Sequence, residues 1–162
     1  MIFILFRGGR ETLAMDVERV VEVVPLLTVR KVPHVPGYVL GVMNYRGTAV
    51  PVIDFSALHS GTPSRRVLST RIVIVRFGGP EGTERMIGLA GERVTETIRA
   101  DREEFQPPGI RSETNRFLGD ILVSGSGTIQ LVEPEAILTP EAFDMLLAGG
   151  TAAKPRKKVR RA

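Results

Sequence analysis

Cysteine is absent from the 162-residue chain, which removes disulfide frameworks, thiolate nucleophiles and Cys-ligated zinc from consideration. Histidine is scarce, with only His34 and His59 present. Aromatic residues make up 6% of the chain, and no strand-like run interleaves them with Lys or Arg as a platform for stacking bases does. The apolar opening, MIFILF, stops at Arg7, too soon for a signal segment or a membrane span. Together these absences lead us to expect a soluble, cytoplasmic protein.

Net charge is +4, which invites a nucleic-acid reading until the charge is located. Of 22 Lys and Arg, six lie in the last nine residues, KPRKKVRRA, so the rest of the chain carries 16 bases against 18 acids, a net of −2. Residues 149–162 are therefore expected to form a disordered, solvated basic tail. Attraction of that tail to an anionic surface is the sharper alternative. The body, residues 1–148, has to be explained separately.

Short Val-, Ile- and Leu-rich runs punctuated by glycine and proline recur about every ten residues, the pattern of an all-β sandwich or barrel with few helices. A first hairpin is expected from Met1–Phe6 and Thr12–Met15. Asp16 can cap a short helical turn, since Val17, Val20, Val21 and Val24 share a helical spacing until Pro25. Five valines in nine residues argue against a helix, so the segment reads as part turn, part strand. Further strands are expected at Leu26–Val32, Val39–Met43, Thr48–Phe55, Arg71–Phe77, Arg85–Ala90, Arg93–Ile98, Phe117–Val123 and Thr128–Val132. Pro51 requires an edge or a bulge. Ser60–Arg66 reads as a loop between two halves that meet near 56–70, and Gly78–Gly82 as an exposed turn. Glu133–Leu138 and Pro140–Leu147 read as closing helices, the second capped by Thr139. The expectation is ten strands in two groups of five.

Chemistry-bearing constellations are sparse. Asp54 and His59 are half a metal site at most, and a surface histidine is the simpler reading. Gly78-Gly79-Pro80-Glu81-Gly82-Thr83 lacks the Gly-Lys-Ser/Thr ending of a phosphate cradle. The Ser124-Gly125-Ser126-Gly127 stretch is placed as a hairpin turn rather than a nucleophile elbow. Glu103-Glu104 reads as a solvated charge run, and Asp120 as a turn capper or a partly buried acceptor. We expect no catalytic residue, no metal and no cofactor, hence a binding protein rather than an enzyme.

Several segments carry a resemblance. MDVERVVEV is similar to an Ile-Asp-Ile-x-x-Val-x-Glu-Ile pattern. VPHVPGYVLGVMNYRGTAVPVIDF follows Gly-Val-x-Asn-Leu-Arg-Gly-x-x-x-Pro-Val-x-Asp-Leu almost position for position. RIVIVRF, MIGLAGERVTETI and FLGDILVSGSGTIQLVEPEAILTP match later strands and the closing hairpin and helix. In these segments, from residue 1 to about 148, the chain resembles the CheW family of chemotaxis coupling proteins. It departs at Tyr45, where Leu is usual, and at Ala90-Gly91-Glu92-Arg93-Val94, where Val-Asp-x-Val is usual.

The resemblance implies two packed five-stranded barrels that act as a non-catalytic adaptor. Its partners would be the cytoplasmic hairpin tip of a methyl-accepting chemoreceptor and the regulatory domain of a CheA-type histidine kinase, within membrane-associated receptor arrays. By position, Glu22 and Arg46 match a family pair of charges that would brace a receptor-binding hairpin. The local alternative pairs Glu22 with Arg19, leaving Arg46 a solvated turn residue. Asn44 belongs to the same Asn-Tyr-Arg-Gly motif. Val20, Val42 and Ile72 match positions lining a receptor groove, though each also fits a core. Gly41 and Gly47 read as structural turn positions, Gly47 because such a turn often needs the positive φ that Arg46 would adopt only with strain. The alternative from a different class is a basic small-barrel protein that binds nucleic acid.

Overall fold

The computed structural model describes residues 1–26, 29–78, 85–110, 113–125 and 127–152. β1 (Ile2–Gly8) and β2 (Glu11–Asp16) form the expected first hairpin. The Asp16 carboxylate then accepts from the Glu18 N–H at 2.9 Å, capping a single 3-10 turn, Val17–Arg19. The chain straightens at once into β3 (Val20–Pro25), so the helical spacing of the valines is not used. Their branched side chains suit a pleated strand, and pairing with a later strand supplies the hydrogen bonds a short helix would lack.

The expected strand at Leu26–Val32 reduces, among the described residues, to one bridge in which Arg30 and Val42 exchange backbone hydrogen bonds of 2.9 and 2.8 Å. β4 (Val39–Tyr45) and β5 (Thr48–Asp54) form the central hairpin. Pro51 stands opposite Val42, whose N–H and C=O both face Arg30, so the missing proline donor costs no bond to β4. After β5 comes a short helix that the sequence pattern does not announce, α1 (Phe55–Ser60), which Asp54 caps at one end and left-handed Gly61 at the other. At six residues it is too short to show a helical period.

β6 (Arg71–Phe77) is as expected. β7 (Arg85–Arg99) is one continuous strand where two were expected, and Gly91 lies within it. Its first part pairs with β6 and β5 and its second with β1. The register with β1 slips between Leu5 and Arg7, opposite the stretch where Arg93 has a φ of 52°. This bulge breaks the alternation that a sequence reading follows, and it lets the strand bend from one group of partners to the other. β8 (Leu118–Ser124) and β9 (Gly127–Val132) make the closing hairpin. A 3-10 turn (Pro134–Ala136) and α2 (Pro140–Ala152) complete the described chain, with the Thr139 hydroxyl accepting from the Ala142 N–H at 3.0 Å. α2 extends past Leu147, the end expected for it. Most of the Gly78–Gly82 turn and of the basic tail lies outside the described residues.

The described strands number nine, yet they sort into two groups of five because β7 serves both. The first group runs β3-β6-β7-β5-β4, and the second runs β7-β1-β2-β9-β8. The outer edge of β4 meets Arg30, and that of β8 meets Gln106, each through a single bridge rather than a ladder. Each group encloses its own apolar cluster: Val24, Met43, Val50, Val52, Ile72 and Ile74 in the first, and Phe3, Leu5, Phe105, Ile129 and Leu131 in the second. The largest cluster lies between the groups, where Phe55 packs edge-on against Phe6 and Phe117, with ring centroids 5.5 and 5.4 Å away. β6 is therefore buried on both faces, with Ile72 and Ile74 to one side and Val73 and Val75 to the other. This is why Arg71–Phe77 and the central hairpin read as nearly unbroken apolar runs.

Candidate functional site

The β4-β5 connection is a two-residue turn, Arg46-Gly47, and a right-twisted hairpin of that length favours positive φ at both positions. Gly47 supplies it at 85°, and Arg46 itself adopts 50°. The sequence reading assigned that conformation to glycine alone, but the turn geometry requires it of the arginine as well. A left-handed non-glycine residue carries about 1–2 kcal/mol of strain. The Asn44 side-chain oxygen accepts the Gly47 N–H at 2.8 Å and closes the turn.

The strained residue presents a cation. Arg46 Nη2 donates to Glu22 Oε1 at 3.0 Å, with side-chain exposures of 76% and 39%. The same oxygen accepts the Tyr45 hydroxyl at 2.5 Å, and the Arg46 guanidinium lies 5.3 Å from the Tyr45 ring centroid. Glu22 thus joins β3 to the tip of β4, the two end strands of the first group. Arg19, the competing local partner, pairs instead with Glu135. The hydrogen bond to Glu22 holds the Tyr45 phenol above the usual tyrosine range; desolvation and the carboxylate charge act in the same direction, and the Arg46 cation opposes them. Tyr45 remains a donor at neutral pH. Its role as the third member of this corner was missed from sequence, although the hydroxyl in place of a usual leucine was the available signal.

The remaining expected positions are not gathered into one surface. Ile72 is 0% exposed in the first group's core, so it supports the corner from beneath and does not line an open groove. Val20 packs against the core between the groups, and Val42 is buried at the edge of β4. Gly41 is no turn residue. It sits inside β4 at a register slip, with a φ of 141°, where a Cβ would collide with the Arg30 carbonyl.

Asp54 and His59 have separate roles. Asp54 is buried and accepts from the Ala57 N–H, the Ser64 N–H and the Ser64 hydroxyl at 3.2, 2.9 and 2.7 Å. His59 Nε2 lies 3.2 Å from Glu11 Oε2. Among the described residues no three His, Asp or Glu side chains gather around a possible metal position. Phe3, Phe6, Phe55, Phe105, Phe117 and Phe143 are all buried, which leaves them unable to stack on bases. Among the described residues no helix is long and apolar enough to cross a membrane.

An all-β body that presents at one corner an exposed, strained arginine, braced by a carboxylate and a phenol, has the form of a protein-interaction module. The chain belongs to the CheW-like domain family, whose profile matches residues 3–142. It is 31% identical over 148 residues to a chemotaxis protein CheW of Rhizobium meliloti, covering 85% of this chain and 92% of that one. It is 28% identical over 137 residues to a chemotaxis protein CheW of Helicobacter pylori, covering 84% and 80%. Protein FrzA of Myxococcus xanthus is 27% identical over 126 residues, covering 76% of each chain. The fold matches the crystal structure of the scaffolding protein TtCheW from Thermoanaerobacter tengcongensis with a TM-score of 0.76 at 24% identity, covering 90% of this chain and 92% of that one. The family is one of chemotaxis scaffold proteins rather than of catalysts.

Proposed function

We propose that this protein is a non-catalytic chemotaxis adaptor that couples a methyl-accepting chemoreceptor to a CheA-type histidine kinase in cytoplasmic, membrane-associated arrays. The receptor hairpin tip docks at the corner formed by Glu22, Tyr45 and Arg46, with Asn44 shaping the turn and Val20, Val42 and Ile72 backing it. One observation carries the reading. Arg46 occupies a left-handed conformation that costs stability, and its guanidinium is nevertheless held in one place at the surface. An exposed ion pair contributes only about 0–1 kcal/mol, so the arrangement serves orientation more than folding.

The test is co-sedimentation of the purified full chain with receptor-containing membranes and kinase. Arg46→Glu places a carboxylate beside Glu22 and is expected to reduce receptor capture by about tenfold or more while the far-UV circular dichroism is unchanged. Undiminished capture by that variant removes Arg46 from the docking surface. Failure of the wild-type chain to bind either protein overturns the coupling reading itself.

A further inference from the structure

The inward face of the second strand group turns polar at one end. Phe3 and Leu5 belong to that group's apolar cluster, and alternation along β1 puts Arg7 next on the same face. On β2, Ala14 stands opposite Leu5 and belongs to the cluster, whereas Thr12 stands opposite Arg7. On β7, Ile98 packs against the cluster, and Glu96, the next residue on that face, stands opposite Leu5. Three adjoining strands thus carry Arg7, Thr12 and Glu96 where their inner faces would otherwise continue the core.

The bulge in β7 brings a second cation to the same place. Between Leu5 and Arg7 the first strand advances two residues, while β7 covers four, from Glu96 to Glu92. Val94 is held within this excess, buried and donating its N–H to the Ser69 carbonyl at 3.0 Å, and Arg93 beside it takes the φ of 52°. A left-handed arginine is strained, and here the strain sets an exposed guanidinium at the edge of a hollow. That hollow measures about 210 Å³ and is lined from all five strands of the group, with Leu5 and Ile129 as its apolar part and Arg7, Arg93, Thr12 and Glu96 as its polar part.

The charged groups of this hollow are not used by the fold. Arg7, Arg93 and Glu96 make no ion pair among the described residues. Half-buried Arg7 donates from Nη1 to the Arg10 carbonyl at 2.8 Å, which steadies the guanidinium. Two guanidiniums and one carboxylate are the counterpart of two carboxylates and one ammonium group. A phosphate dianion has no group to offer Glu96 and is repelled by it. The volume lies below the roughly 300 Å³ at which sites for larger ligands begin, so the occupant is small. The Glu22, Tyr45 and Arg46 corner belongs to the first strand group and shares no residue with this hollow.

We propose that the hollow is a binding site for an acidic amino acid, with Arg7 and Arg93 holding its carboxylates and Glu96 its ammonium group. The test is a titration of the 15N-labelled full chain at low ionic strength, followed by amide chemical shifts, with three probes: L-glutamate, glutarate, which lacks the ammonium group, and inorganic phosphate. L-Glutamate is expected to give saturable shifts centred on the hollow and to bind about tenfold more tightly than either other probe. Arg93→Asn keeps a residue that tolerates the left-handed conformation and is expected to weaken L-glutamate about tenfold, as is Arg7→Gln. Glu96→Gln is expected to weaken L-glutamate by a similar factor without weakening glutarate. Unchanged amide shifts away from the hollow report that each variant keeps the fold.

Absence of saturable shifts at the hollow with L-glutamate overturns the site. So does full L-glutamate affinity in folded Arg93→Asn, an exposed change that tests the site even if Arg7→Gln fails to fold. Glutarate or phosphate binding as tightly as L-glutamate shows that Glu96 recognises nothing, and the assignment to an amino acid fails.

Discussion

Replacing Gly41 with alanine tests whether the β4-β5 hairpin depends on a close backbone approach that only glycine permits. Gly41 has a φ of 141°, and a Cβ built there meets the Arg30 carbonyl and the Cα of Lys31. Relief requires Arg30 to move, and Arg30 shares its two bridge hydrogen bonds with Val42, the next residue. Losing both costs about 1 kcal/mol each. Holding alanine at that φ adds about 1–3 kcal/mol. The sum, roughly 3–5 kcal/mol, is a large part of the 5–15 kcal/mol typical of a domain. Gly47→Ala is the control: its φ is 85°, but a Cβ there meets nothing within 4 Å, so only the conformational cost of about 1–2 kcal/mol applies. Urea denaturation followed by far-UV circular dichroism reads both variants. If Gly41→Ala loses no more stability than Gly47→Ala, the close approach of the Arg30 carbonyl is not what dictates glycine at this position.

The same geometry fixes other outcomes. Arg46→Asn, which creates the favoured Asn-Gly hairpin turn, should leave stability unchanged or raise it by about 1 kcal/mol while receptor capture falls; a marked loss of stability would show that the left-handed arginine carries no strain. In 13C-tyrosine NMR, Glu22→Ala should bring the Tyr45 titration down toward the ordinary value of about 10, because the hydrogen bond to Glu22 is the largest cause of its elevation. The sign is that of a raised pKa: folded protein holds the phenolic proton more firmly than unfolded chain. The associated stabilisation is complete below about pH 10 and is lost as pH climbs through the folded value. Asp54→Ala, which removes a buried cap accepting three hydrogen bonds, should cost about 2–4 kcal/mol by urea denaturation. It should also loosen the loop that carries Leu68, read as faster proteolysis after Arg65 or Arg66.

Much of this molecule is local and could be read along the chain. Glycine and proline mark most strand ends, Asp16 and Thr139 cap the turns they precede, and Pro51 sits where a missing donor costs β4 nothing. Such features depend on neighbours a few residues away, which a sequence displays directly. The family pattern around Asn44-Tyr45-Arg46-Gly47 likewise picked out the corner, and Glu22 did turn out to be the partner of Arg46. What tertiary structure alone decided involves residues distant in the chain. β7 is one strand because a bulge at Arg93 lets it serve two groups, and alternation read locally ends at a bulge. Gly41 is glycine because of the Arg30 carbonyl, which lies well outside its own hairpin, and Ile72 is core because both faces of β6 are covered. Leu68 is exposed because hydrogen bonds from Thr70 and Val94 fold its loop away from every apolar cluster. Periodicity reports which faces are apolar, but only the packed chain determines which of those faces remain uncovered.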